Sequence, residues 1–179
     1  MLNYEGLVGP KMEHWEGEYW VDIRHQVMKA IINHRLNLAY ENGCDGVEFD
    51  NIDAYIAADE LDIKREDQIY YNRWLANAAH FFYLSAGLKN CPELVEDLKN
   101  NFDFAINEEC VDYEECSEYK PLLDMDKPVF TVLYPLNGIK NKKYIKKTCE
   151  QVKDLNLSVI FKDEDLYFDY ERFTYDEYC

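Results

Sequence analysis

The chain has 179 residues, 47% hydrophobic and 15% aromatic, with 36 acidic against 19 basic side chains and a formal net charge of −17. This length and apolar content support one domain over residues 1–179 with a core of its own, and exclude a disordered chain. The acidity excludes nucleic acid, whose phosphates it would repel, and suits a cationic or neutral partner.

The opening MLNYEGLVGP has neither the basic start nor the apolar block of a secretory signal, and no run of about 18 apolar residues spans a membrane. From Arg24 the spacing predicts a helix with Val27, Ile31, His34 and Leu38 on one apolar stripe. It stops at Glu41-Asn42-Gly43, with glycine past the last turn. A strand over Asp45–Asp50 follows. A second helix over 64–82 turns Tyr71, Leu75, Ala78 and Phe82 inward. The apolar run 84–89 precedes a helix from Pro92 to Asn100, where proline is tolerated in the first turn. "FDFAINE" (102–108) reads as a strand, 116–126 as a short helical piece and "KPVFTVLYP" (127–135) as a strand. The Lys-rich helix 140–154 then leads to a last strand, "LSVIFK" (157–162).

Helix and strand thus alternate five times, which predicts parallel strands joined by right-handed crossovers. Two α/β architectures fit, an open doubly wound sheet and part of a (β/α)8 barrel. The doubly wound fold wants a Gly-rich turn after its first strand, but "GCDGVE" has the wrong glycine spacing and its acids would repel a pyrophosphate. A barrel places chemistry at the C-terminal ends of its strands. Those ends read Glu48/Asp50, Lys89/Asn90, Asn107/Glu108, Tyr134 and Lys162/Asp163, which favours the barrel. Five strands cannot close one, and a barrel takes about 250 residues. The expectation is a partial barrel of about five βα units, the carboxy-terminal part of its domain.

Asp45, Glu48, Asp50 and Asp53 concentrate four carboxylates in nine residues, and a carboxylate that leaves water needs a partner or a job. Six cysteines (44, 91, 110, 116, 149 and 179) form no CxxC pair, and the four histidines show neither HxH nor HExxH spacing, so no zinc site is expected. Cys110 and Cys116 close a short loop suited to a bridge in an oxidising compartment. Six cysteines allow 15 pairings, and the count alone leaves the compartment open. "NLS" (156–158) matches the glycosylation sequon, but it enters a predicted strand and is expected to be unused.

"WEGEYWVDIR" (15–24), "RLNLAYENGCDGVEFDNIDAY" (35–55), "DQIYYNRWLANAAH" (67–80), "SAGLKN" (85–90), "FDFAINEEC" (102–110) and "KPVFTVLY" (127–134) resemble, in family order, glycoside hydrolase family 114, the endo-α-1,4-polygalactosaminidase family. The resemblance implies a (β/α)8 barrel and secretion of the full-length parent. It also implies further strands ahead of Trp15, one of them ending in a second acidic residue of the catalytic centre. Phe49 stands where the family pattern "DGVEPDN" has proline, and Leu133 where "VEY" has glutamate.

Glycoside hydrolysis takes one carboxylic acid to protonate the leaving oxygen and a second carboxylate as nucleophile or base. Glu48 is the expected proton donor. The resemblance places a catalytic Glu there, and burial at the end of an apolar strand would raise its pKa toward the value an acid needs. The alternative is a Glu paired with a base such as Lys89. Asp50, on the same strand face, reads as substrate-binding. Asn51 and Asp53 either bond sugar hydroxyls or serve turn and cap chemistry. Trp20, Tyr55 and Tyr134 either stack on sugar faces or pack in the core. Asp22 and Arg24 form a structural pair or reach the cleft, and Lys89 either locks the ionisation of Glu48 or sits at a solvated rim. Asn107 and Glu108 end a strand at that rim, with Glu108 the best cross-barrel carboxylate in the chain. Asn72 and Arg73 match family letters mid-helix, where packing is expected.

The expected partner is a galactosamine-rich polysaccharide, whose deacetylated form is polycationic and would be steered by an acidic cleft. Neither a cofactor nor a metal is expected. A non-catalytic carbohydrate- or cation-binding protein is the alternative. A metal-dependent hydrolase using Glu48, Asp50 and Glu108 ranks third.

Overall fold

The computed structural model describes residues 4–163 and 170–179. The chain forms two compact units, Met1–Gly87 with Asn100–Phe102, and Leu88–Lys99 with Asp103–Cys179.

The first unit opens with a hairpin that the sequence did not predict. β1 (Val8–Lys11) pairs antiparallel with β2 (Tyr19–Val21), Val8 opposite Val21 and Lys11 opposite Tyr19. Helix α1 runs Gln26–Glu41, capped by His25, whose Nδ1 accepts from the Val27 amide at 3.2 Å. At its other end Asn42 donates twice to the Leu38 carbonyl, and Gly43 takes φ +75°, the left-handed turn that glycine supplies. Its inner face is Val27, Met28 and Leu36, whereas His34 and Leu38 are exposed. The predicted stripe was therefore rotated, because apolar residues stand on several sides of this helix and the period alone does not choose among them.

β3 (Gly46–Phe49) follows. It starts on a glycine because a Cβ at Gly46 would stand 2.9 Å from the Ser85 carbonyl oxygen. Phe49 is buried edge-on against Phe102, ring centroids 6.4 Å apart. After the single turn α2 (Ala54–Ala57), α3 spans Arg65–Phe81 and buries Tyr71, Leu75 and Ala78 as predicted, with Gln68, Asn72, Ala76 and Ala79 beside them. β4 (Ser85–Lys89) begins in this unit, its Ser85 amide donating to the Asp45 carbonyl at 3.0 Å.

The second unit carries the end of β4, the short α4 (Val95–Leu98), then β5 (Phe104–Glu108), α5 (Cys110–Tyr113), α6 (Lys120–Leu123) and β6 (Val129–Leu133). It continues with α7 (Lys142–Val152), β7 (Ser158–Phe161), β8 (Glu171–Phe173) and α8 (Tyr175–Tyr178). β5, β6 and β7 are parallel in register, Glu108 beside Val132 and Val132 beside Ile160. The fold class is α/β of the (β/α)8-barrel type, as the alternation predicts. β8 adds an antiparallel strand to β7 beyond the last one predicted.

Parallel neighbours in register send alternate residues to one face. Ala105, Asn107, Val129, Thr131, Leu133, Val159 and Phe161 are buried on one face. Leu133, Val159 and Phe161 join Val111, Ile145 and Val152 in the core. The other face carries Ile106, Glu108, Val132, Tyr134, Ile160 and Lys162, all half-buried. Two disulfides staple this unit: Cys110–Cys116, as the spacing suggested, and Cys149–Cys179, which ties the last residue to α7. Cys44 and Cys91 stand outside both disulfides.

Candidate active site

In the first unit the functional segment leaves β3. Glu48 and Asp50 are both exposed and share a strand face, while Phe49 between them points into the core. The burial expected of Glu48 is not observed, since its side chain is exposed. Alternation on β3 gives the interior to Phe49 and leaves both flanking carboxylates to solvent. The Asp50 Oδ1 accepts from the Asn51 amide at 3.0 Å, and Asn51 turns the chain at φ +53°. Ile52 is then buried, and its carbonyl accepts from Asn72 Nδ2 at 3.0 Å. Gln68 Nε2 in turn donates to Asn72 Oδ1 at 2.8 Å. Fully buried Asn72 thus anchors the loop carrying Asp50 and Asn51 to α3, a positioning task beyond the packing expected of it.

Asp53 precedes α2 without capping it through its carboxylate, and Tyr55 is half-buried. Trp20 is half-buried and lines a cleft of about 600 Å³ with His14, Trp15 and Glu60. Asp22 and Arg24 make the structural pair. Arg24 Nε and Nη2 donate to the Asp22 carboxylate at 2.9 Å each, and Nη1 and Nη2 reach the Asp62 and Leu61 carbonyls. The hydrogen bonds from Arg24 hold the Asp22 carboxyl below its ordinary range.

In the second unit the ends of β4, β5 and β6 bring three predicted residues together. Lys89 is buried, not at a solvated rim, and its ammonium stands 2.8 Å from Glu108 Oε2. Tyr134 donates its hydroxyl to Glu108 Oε1, and the Glu108 amide donates to Asn90 Oδ1 at 2.8 Å. Partial burial alone would raise the Glu108 pKa. Hydrogen bonds from Lys89 and Tyr134, with the lysine charge, outweigh burial and set it below the ordinary value. Glu108 is therefore an ionised carboxylate between an ammonium and a phenol. Asn90, at φ +53°, was not singled out as a site residue; its place directly after a strand-end lysine was the available signal.

Asn107 does not share this site. Its neighbour Glu108 takes one face of β5 and Asn107 the other, where it is fully buried. Its Oδ1 accepts from the Cys110 amide at 3.1 Å, and its Nδ2 donates to the Tyr119 hydroxyl at 3.0 Å and to Glu115 Oε1 at 3.4 Å. Placing it at the rim overlooked the period of two. Beyond the ends of β6 and β7 lies a cleft of about 660 Å³, lined by Tyr134, Lys140, Lys162, Asp163, Tyr170 and Glu171 among others. Gly138 beside it takes φ +55°, a conformation glycine adopts without strain, and Glu171 Oε2 accepts from the Ile139 amide at 2.7 Å. Among the described residues no three His, Cys, Asp or Glu side chains gather as ligands for a metal ion.

No curated protein sequence matches the chain. The crystal structure of Aspergillus fumigatus Ega3 in complex with galactosamine is similar at 32% identity and TM-score 0.85, over 94% of this chain and 70% of that one. The glycoside hydrolase domain of PelA from Pseudomonas aeruginosa, at 12% identity and TM-score 0.62, shares the fold over 91% of this chain and 70% of its own, and a variant of that domain matches at TM-score 0.66. The family model of glycoside-hydrolase family GH114 matches residues 4–179. The chain belongs to glycoside-hydrolase family GH114 and is a glycosidase.

Proposed function

We propose that this glycosidase cleaves galactosamine-containing polysaccharide, in the manner of an endo-α-1,4-polygalactosaminidase. The observation that carries the substrate is the likeness, at 32% identity, to a protein crystallised with galactosamine. The net charge of −17 agrees, since a deacetylated polymer is a polycation. Glu48 is proposed to protonate the glycosidic oxygen, with Asp50, Asn51, Asp53, Tyr55 and Trp20 along the sugar chain. Glu108, held ionised by Lys89 and Tyr134, is proposed to attract a cationic sugar to its own strand end. Asp22 serves its own loop through Arg24.

A second reading of the proton donor is favoured by one observation. Glu48 lies within β3, whereas Asp50 lies just past its C-terminal end, where barrel enzymes place their chemistry. It exchanges the roles of these two residues. Secretion is proposed as well, because the disulfides Cys110–Cys116 and Cys149–Cys179 persist in an oxidising compartment.

The test is incubation with deacetylated polygalactosamine, measuring bound polymer and new reducing ends together. Cleavage is expected, and it should be lost in Glu48→Gln at unchanged circular dichroism. Binding without new reducing ends would overturn the enzymatic reading of this chain in favour of a carbohydrate-binding one. Cleavage of other polysaccharides but not this one would overturn the substrate.

A further inference from the structure

One motif is left unused by the glycosidase reading. Of the 14 asparagines in the chain, Asn156 alone opens an Asn-x-Ser/Thr sequon, Asn156-Leu157-Ser158. The sequence suggested that a strand would absorb it. The structure places Asn156 ahead of β7, which starts only at Ser158. Helix α7 ends at Val152, Asp154 turns the chain at φ +61°, and the Leu155 amide closes the turn on the Val152 carbonyl at 3.0 Å. Asn156 comes next, exposed, in no regular element. Its side-chain amide makes no hydrogen bond among the described residues, so modifying the nitrogen removes no contact that the fold uses.

We propose that Asn156 carries an N-linked oligosaccharide when the chain is made in a eukaryotic secretory pathway. Three observations meet there. The acceptor tripeptide is complete, its asparagine stands in an exposed turn, and the same unit carries two disulfides of the kind formed in that compartment. In the transfer, Asn156 Nδ2 bonds to the anomeric carbon of an oligosaccharide supplied on a polyprenyl diphosphate. The carbon–oxygen bond to the diphosphate breaks, the diphosphate leaves, and the amide nitrogen loses one proton.

The position also fixes what the glycan does not do. Asn156 precedes β7 and Lys162 follows it, a separation along the strand of roughly 20 Å at about 3.3 Å per residue. The oligosaccharide therefore stands at the strand end away from Lys162 and the cleft beside Tyr134, and leaves turnover unchanged.

This inference rests on the proposed secretion, and the test separates the two. The full chain is fused to a secretory signal and expressed in yeast, which fixes entry into the pathway. Peptide mapping before and after peptide-N-glycosidase then reads the peptide containing Asn156, and thiol alkylation reads the four bridged cysteines. A glycan at Asn156, absent in Asn156→Gln and in Ser158→Ala but retained in Ser158→Thr, is the expected result. Recovered chain with both disulfides formed and Asn156 unmodified would overturn the proposal while leaving secretion untouched. Secretion is judged separately, by where the untagged full-length protein accumulates. Unequal turnover of the glycosylated enzyme and Asn156→Gln would overturn the claim that the glycan stands clear of the chemistry.

Discussion

At the end of β3 the carboxylates of Glu48 and Asp50 are open to solvent, whereas at the end of β5 the carboxylate of Glu108 is enclosed by Lys89 and Tyr134. Both are strand ends of the kind at which barrel enzymes work. The difference teaches that strand ends of one fold can present a carboxylate to solvent or enclose it among partners. Replacing the carboxylates one at a time breaks the comparison most forcefully. Glu48→Gln is expected to lower kcat by about 10²–10⁴-fold, the usual contribution of a positioned proton-transfer group, and Glu108→Gln to raise KM. Asp50→Asn should act mainly on KM. Turnover retained in Glu48→Gln but lost in Asp50→Asn would move the proton donor two residues along the chain.

The pair at β5 is sharpened by Lys89→Met. Removing one partner of a buried pair costs about 3–5 kcal/mol. The Glu108 side chain keeps 29% of its surface in water, so a loss of about 1–3 kcal/mol is expected. The sign with pH follows from the lowered pKa of Glu108. Its contribution to stability is present above the unfolded carboxyl value and fades as pH falls through the lower folded one. Urea denaturation of the wild type should weaken across that acid window, and Lys89→Met should flatten this part of the dependence. Equal slopes in the two proteins would show that Lys89 does not set the ionisation of Glu108.

Asn107→Ala tests the opposite face of the same strand. It removes the partner of the Cys110 amide and frees the Tyr119 hydroxyl and Glu115 in a buried place. The expected cost is about 1–3 kcal/mol of stability, with KM unchanged in the protein that remains folded. A raised KM at unaltered stability would restore it to the substrate site.

What was legible in the sequence tracks how strongly a single pattern dominated. Helix α3 was placed within a residue or so. Tyr71, Leu75 and Ala78 of its inner face were right because they recur every three to four residues, while Phe82 follows the helix half-buried and Tyr70 and Phe81 are apolar yet exposed. Helix α1 was found but turned wrongly, since Met28, Ile31, Ile32 and Leu36 let several faces pass as apolar. The β1–β2 hairpin was missed because its strands are short and one contains Pro10, a residue that argues against a strand. β8 is three residues long and carries Glu171 and Arg172. The Cys110–Cys116 bridge was readable from a separation of 6, but Cys149–Cys179 depends on where tertiary structure brings the last residue. At the site, Glu108, Lys89 and Tyr134 were named correctly as strand-end groups. Their mutual contacts were not visible, because register between strands is decided by packing rather than by any one segment.

The smallest effect separates the phenol from the ammonium at Glu108. Tyr134→Phe keeps the ring against its surroundings and removes only the hydroxyl that donates to Glu108 Oε1. A single hydrogen bond of this kind contributes about 0.5–1.5 kcal/mol, somewhat more when the acceptor is charged. The Glu108 pKa should therefore rise, but by less than in Lys89→Met, where a hydrogen bond and a full charge disappear together. The acid limb of the kcat/KM profile measures this, and the expected order of its midpoints is wild type, Tyr134→Phe, Lys89→Met. If Tyr134 instead serves chiefly as a stacking surface for sugar, Tyr134→Phe leaves the midpoint where it was, while Tyr134→Ala raises KM. The two variants therefore decide whether this side chain acts through its oxygen or through its face.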